Sequence, residues 1–502
     1  MNLKRIVGRS ALCLLGLTLF ASPVAAQVFN SGPSDPTLFD NVINVPPAPD
    51  IDFFQNLGGD GLTTQLNVFA DGAVGSSFSA NSGTEVNISG GFVNNFFNAN
   101  SGSEVNISGG TVGDGFEAFA GSAVSISGGT VGVNFQAFLG SDVELIGGEF
   151  QLNGAPFSGS TVPLSIGDAF TGTLADGSTF IFSNRGEFAD ELSSISLTTT
   201  TLPALNLSPM TVSTADPSIP SGLRAGQTLT VQAGGQLGDN FEVVDATLNI
   251  AGGSIGPRAG AARSIVNVSD GSVDFGFEAH FGSVVSISGG SIGDAFEADP
   301  GSVVNISGGS IGSRFVSNFG SETNISGGSI GRGYEAFGVV NISGGEFDSF
   351  NVFSDSVVNI SGGTFERLLA RTGSEINVFG SNFAIDGEPL DSLMFNDPFT
   401  IVDRDVILTG LLVDGSEFQF VLRGFNNFSG DHLSPDATLT VTLVAPVVLG
   451  DVDQNGVVDF ADIPAFIEVL QTGMFLPEAD INQDGVVNFD DIPGFIEILT
   501  AA

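Results

Sequence analysis

The 502-residue chain has no tryptophan, one cysteine, one lysine, one tyrosine and two histidines. A lone cysteine cannot make an internal disulfide, so stability has to come from stacked repeats, apolar packing or metal. Sugar-binding sites usually stack rings on Trp or Tyr, and here only Tyr334 is present. Positive charge is scarce as well: Lys and Arg total 13 against 56 Asp and Glu, a formal charge of −43. Such a surface repels nucleic acid and anionic lipid and concentrates cations. Nucleic acid is therefore not an expected partner.

Lys4, Arg5 and Arg9 surround the start of an apolar run over residues 11–21, and Val24, Ala25 and Ala26 put small residues ahead of Gln27. This order predicts a signal peptide over 1–26 and a secreted or cell-surface protein; a buried N-terminal helix is the alternative. The run is too short to span a bilayer, and Leu12 before Cys13 does not suit a lipoprotein. Lys4 and Cys13 both lie in this segment. The mature chain would then carry 10 Arg against 56 Asp and Glu, a formal charge of −46, with no thiol and no membrane span.

What the chain has in excess is glycine (70), phenylalanine (45) and self-similarity. The phrase Val-Asn-Ile-Ser-Gly-Gly, or a close variant, starts at Val86, Val105, Val124 and Val143, then at Leu248, Val266, Val285, Val304, Thr323, Val340 and Val358. Fainter copies start at Leu66, Leu229 and Ile376. In the unit 304–322, Val304 and Ile306 alternate with Asn305 and Ser307, which predicts a short strand with two side chains inward. Gly308-Gly309 makes a turn, Ser310-Ile311 a second strand, and Phe315 starts a third apolar stretch. Three short strands in under 20 residues suit one coil of a parallel β-helix, in which like stacks on like along the axis. Phe116, Phe135, Phe241, Phe277, Phe296 and Phe315 recur at one position, with Tyr334 in the same row, and predict an internal aromatic ladder.

Each repeat block runs into a related segment. Phe150, Asn153, Gly154 and Pro156 match Phe383, Asp386, Gly387 and Pro389; Asp176 and Phe180 match Asp414 and Phe418; Asp190 matches Asp431. The fold class expected is mainly β: two right-handed parallel β-helix solenoids with β-rich caps, plus a small α-helical C-terminal domain. The expected divisions are an N-terminal segment over 27–61, solenoids over 62–150 and 229–380, caps over 151–205 and 381–447, a linker over 206–228, and the last domain over 448–502.

That last domain carries the clearest chemistry. Asp451, Asp453, Asn455, Asp459 and Asp462 fall at positions 1, 3, 5, 9 and 12 of one loop, with Gly456 at position 6; Asp480, Asn482, Asp484, Asn488 and Asp491 repeat this 29 residues on, with Gly485. Calcium needs six to eight oxygens from one continuous turn, with Gly at the sharp bend. The backbone carbonyls of Val457 and Val486, at position 7, would add one oxygen each. Two such loops in tandem predict two Ca²⁺ sites. Phe460, Ile463, Phe466, Ile467 and Leu470 follow the first loop at helical spacing, and Phe489, Ile492, Phe495, Ile496 and Leu499 follow the second; both stripes read as a mutual core.

These loops, each followed by a helix and with no helix ahead of the first, resemble a type I dockerin over residues 449–502. The resemblance implies an EF-hand-like module that folds on calcium and docks a cohesin-like or cell-surface protein. Cellulosomal dockerins often carry a Ser/Thr pair at loop positions 10 and 11; here those positions hold Phe460-Ala461 and Phe489-Asp490.

No catalytic site is expected. Carboxylates are spread as on a solvated surface, and His280 reads as a surface substitution. Arg258, Arg263, Arg314 and Arg332 read as scattered charges or, alternatively, a basic strip. Asp114, Asp239 and Asp294 echo calcium-loaded nonapeptide repeats, but without the nine-residue register. The function expected is a secreted structural or adhesive scaffold with a calcium-dependent docking tail, polysaccharide being a possible partner. The alternative is a polysaccharide lyase or glycoside hydrolase borne on a dockerin.

Overall fold

The computed structural model describes residues 40–502 except 47–49, 60, 160, 185–189, 214–220, 424–430, 445–448, 454, 456, 473–475, 483–485 and 502. The predicted signal peptide lies outside the described residues. Half of the chain is strand and 6% helix, and the strands wind into a parallel β-solenoid of about 17 turns with a small helical part at the C-terminus. No helix among the described residues is long and apolar enough to cross a membrane.

The repeat phrase sets the register. Val285, Val304, Thr323, Val340, Val358 and Ile376 stack in parallel, coil on coil, and so do Ile287, Ile306, Ile325, Ile342, Ile360 and Val378. Both rows point inward and are buried. The asparagine between them points outward and joins its own ladder. The Nδ2 of Asn324, Asn341, Asn359 and Asn377 each donates to the Oδ1 of the asparagine one coil below, at 2.8–3.1 Å. Such amide ladders are what in-register stacking of identical side chains allows. The Gly-Gly step follows from coil spacing: Gly309 sits at φ +77°, and a Cβ on Gly308 would lie 2.5 Å from the carbonyl oxygen of Ser288 on the coil below.

The aromatic ladder forms and is longer than expected, but Phe241 is buried apart from it, because Ala259 takes the position between it and Phe277. Phe78, Phe97, Phe116, Phe135 and Phe182 stack with centroids 4.9–5.3 Å apart. Phe277, Phe296, Phe315, Tyr334 and Phe350 stack at 4.6–5.4 Å. A phenol in such a core needs a polar partner. Ser317 and Thr323 supply it: Tyr334 Oη lies 2.9 Å from Ser317 Oγ, which lies 2.7 Å from Thr323 Oγ1. Thr323 breaks the valine row for that reason.

The matching segments after each repeat run are antiparallel hairpins. Ala169–Leu174 pairs Thr179–Ser183, and Ile407–Leu412 pairs Glu417–Val421 in the same register. Each is an excursion from a coil that resumes beyond it, because Ile195–Thr199 stacks in parallel on Asp142–Leu152, and Thr438–Leu443 on Glu375–Ile385. The matched aspartates play matched parts. Asp176 accepts from Gly129 N and Asp414 from Gly363 N, both at 2.8 Å. Asp190 bridges Phe135 N and Ser183 N, as Asp431 bridges Leu368 N and Val421 N. Within 206–228, read as a linker, Met210–Val212 is itself a rung, paired with residues 229–231.

The first hairpin lies against the coils that follow it. Thr179 Oγ1 donates to Glu242 O at 3.1 Å, and Arg263 Nη2 donates to Thr171 Oγ1 at 3.0 Å. Arg224 and Arg258 form ion pairs with Glu149 and Asp114 at 2.9 and 2.6 Å. Burial disfavours the Glu149 carboxylate, yet the hydrogen bonds from Arg224 and Thr173 and the Arg224 charge outweigh it and hold the carboxyl below its ordinary range.

Candidate metal centre

The helical part is built on two short helices, α1 (Asp462–Thr472) and α2 (Ile492–Ala501), each entered from an acidic loop. Its core is small: Val452, Phe466, Val469, Ala479, Phe495 and Leu499 are buried together, and Phe466 and Phe495 stack with centroids 4.1 Å apart. Pro464 and Pro493 sit in the first turns, where a missing N–H costs little.

The two loops share one hydrogen-bond framework, offset by 29 residues. Asp462 accepts from Asp453 N at 2.9 Å and from Asp459 N at 2.8 Å. Asp491 accepts from Asn482 N at 3.1 Å and from Asn488 N at 2.8 Å. Asp459 Oδ1 accepts from Ala461 N, and Asn488 Oδ1 from Asp490 N, both at 2.6 Å, which caps the entry to each helix. The position-12 aspartate thus ties positions 3 and 9 of its own loop together, and it is buried in both loops.

In the first loop, Asp451, Asp453 and Asp462 bring one oxygen each within 4.8 Å of one another, two of them on buried side chains. Asn455 N donates to Asp451 at 3.0 Å and to Asp453 at 3.1 Å, and Val457 N to Asn455 Oδ1 at 2.9 Å, which wraps the loop around this point. Carboxylate oxygens keep a second lone pair when they accept one hydrogen bond, so the set fits a hard, oxygen-seeking cation. Asn455 and Asp459 are exposed at its rim. In the second loop Asp480 and Asp491 are buried and Asn482 is exposed, while Asp484 lies outside the described residues. Amides at positions 3 and 9 there leave fewer carboxylates to converge.

The helical stripes correct one expectation. Phe466, Phe495 and Leu499 are core, but Phe460 and Phe489 are 71% and 76% exposed, and Val457, Ile467, Val486 and Ile496 are exposed with them. Phe460 precedes α1 and so lies off its inner face, and Ile467 is about 100° around the helix from Phe466. Sequence reasoning missed these exposed apolar residues, because an i, i+3, i+4 stripe is wide enough to hold both Phe466 and Ile467 and does not say which edge of it meets the core.

Elsewhere, His280 is not a surface residue. It is 3% exposed, its Nδ1 2.8 Å from Asp299 Oδ2 and its Nε2 3.3 Å from Glu278 Oε2. Burial disfavours its charged form, but the hydrogen bond and charge of Asp299, with Glu278 and Glu242 behind, push the imidazole up to about 9. Arg263 pairs with Asp245 at 2.7 Å, Arg258 with Asp114, and the exposed Arg332 lies 3.5 Å from Asp348. Asp294 Oδ1 accepts from Ser313 N on the next coil at 2.8 Å, a coil-capping part. The asparagine face forms an open groove of about 410 Å³ lined by Asn305, Asn324, Asn341, Asn359, Ser307 and Phe379. No family model matches the chain, and no curated protein and no solved structure matches it either.

Proposed function

We propose that the protein is a secreted, acidic, non-enzymatic scaffold: two solenoids in series, with a dockerin-like tail that folds around two Ca²⁺ ions and attaches the rod to a surface partner. The observation that carries this reading is the convergence of Asp451, Asp453 and Asp462 on one point, two of them buried, in a helical part with six buried core residues. Buried like charges at such range are costly unless a cation lies between them. A core of that size has little stability to spare. Asp451, Asp453, Asn455, Asp459, Asp462 and the carbonyl of Val457 would hold one ion. Asp480, Asn482, Asp484, Asn488, Asp491 and the carbonyl of Val486 would hold the other.

The exposed Phe460 and Phe489 patches supply the apolar anchors of a docking surface, presented twice. An enzymatic reading gains nothing from the long groove, whose lining is amide, hydroxyl and apolar. Capture experiments with calcium-loaded full-length protein, against the same protein with Phe460→Asp and Phe489→Asp, test the docking. Partners retained equally by both forms would reject it.

A further inference from the structure

The two hairpins have the same register and, apart from Leu408 in place of Phe170, the same inner face, but they differ on the outer face. In the first, Ala169, Thr171, Thr173, Thr179 and Ser183 are buried on that face, and Ile181 beside them is half-buried. They are covered by the coils that start at Gly222–Leu223 and Glu242–Val244. Contact is close there: any Cβ on Gly222 would collide with Thr179 Oγ1. In the second hairpin the equivalent residues are Ile407, Thr409, Leu411, Glu417 and Val421, and none of them is buried.

The other side of this contact is duplicated too. Gly222, Glu242 and Gly260 stack in one outward column. The same column in the first repeat block is Asn56, Ser79 and Asn98. Gly222 and Gly260 are buried, whereas Asn56 is exposed and Ser79 and Asn98 are half-buried. One contact is therefore made within the chain, and among the described residues each of its two surfaces has a more exposed twin.

The twins changed character together. Arg224, Arg258 and Arg263 on the covered coils correspond to Gly58, Phe96 and Gly102 on the first block, with Phe96 57% exposed. Ala169, Thr173 and Ser183 on the covered hairpin correspond to Ile407, Leu411 and Val421, with Ile407 38% exposed. On the hairpin, Ile407, Leu411 and Val421 replace Ala169, Thr173 and Ser183, while Glu417 and Gln419 replace Thr179 and Ile181; on the coils, Phe96 replaces Arg258, while Asn56 and Asn98 replace Gly222 and Gly260.

We infer that the outer face of the Ile407–Val421 hairpin docks on the first coils of a second copy of this chain, around Asn56, Ser79, Phe96 and Asn98. The contact is heterologous, so it propagates head to tail and does not close at a dimer. It does not depend on the calcium tail. With each copy strongly acidic, association needs the charges screened and strengthens with salt.

Sedimentation velocity on the full-length protein tests this, with calcium and with chelator, from low to high ionic strength. Expected is an open series of oligomers that grows with concentration and salt in both conditions. Ile407→Asp with Leu411→Asp should weaken growth at least tenfold, and so should Ser79→Trp with Phe96→Asp. A mixture of the two double variants should stop at a heterodimer, since each keeps one intact face. A chain that stays monomeric at high salt overturns the inference, as does a closed homodimer or a mixture that fails to pair. Association that vanishes with chelator would overturn it too and assign self-association to the tail, whereas a failed docking capture leaves it untouched.

Discussion

Raising the pH past neutrality should loosen the second repeat block at His280. The imidazole lies between Asp299 at 2.8 Å and Glu278 at 3.3 Å, with Glu242 near, and all of this is buried or nearly so. Its pKa in the folded chain is about 9 against an ordinary 6.5. A folded pKa raised in this way favours the protonated fold: the contribution is fully present below pH 6.5 and disappears as pH rises to 9. At about 1.4 kcal/mol per unit, the loss across that window is on the order of 3 kcal/mol. The assay is coil-resolved hydrogen exchange, supported by denaturant unfolding, at pH 6, 7.5 and 9.5. Stopping at 9.5 keeps clear of Tyr334, whose hydroxyl burial pushes well above its ordinary range. Exchange around 278–299 should accelerate with pH beyond the intrinsic chemical increase, and coils beyond 340 should not follow. His280→Gln, which has no charge to lose, should be less stable at pH 6 and nearly flat from 6 to 9.5. The same slope in wild type and His280→Gln, or greater stability at pH 9.5, would refute the reasoning.

Further outcomes follow from the ladders and loops. Phe296→Ala removes a fully buried ring stacked 5.4 and 4.7 Å from its neighbours and should cost about 3–5 kcal/mol, read as lost exchange protection in adjacent coils, while Phe319→Ala, 70% exposed, should change little. Thr323→Val restores the valine row but removes a partner of the Tyr334–Ser317 pair, so it should destabilise by about 1–3 kcal/mol in thermal unfolding. Asp462→Ala deletes the side chain that ties Asp453 and Asp459 together and should abolish protection in α1 in the presence of calcium, with the solenoid unaffected.

The solenoid was legible because its signal is repeated. Each Val-Asn-Ile-Ser-Gly-Gly phrase states the same inward and outward alternation, and a period of 17–19 residues leaves few alternatives to stacking. The aromatic ladder and the duplicated aspartates were visible for the same reason. What stayed hidden was contact between residues far apart in sequence. The burial of His280 rests on Asp299 one coil later and on the bare backbone of Gly260 beside it, neither of which a single coil announces. The pairing of Arg224 with Glu149 and of Arg258 with Asp114 joins segments 75 and 144 positions apart, so the arginines read as scattered. In the tail, the loop spacing disclosed the aspartates that converge. Helical spacing alone did not say which apolar residues face inward, because the helix begins only at Asp462, after Phe460.

The most direct test is hydrogen exchange on residues 450–500 of the full-length protein, titrated with Ca²⁺ and then with chelator. At a thousandfold excess over the dissociation constant, each ion should add about 4 kcal/mol. The account predicts protection of α1 and α2 that saturates with two ions per chain and is lost on chelation while the coils stay protected. Helices equally protected with and without calcium, or a titration with no bound ion, would contradict it.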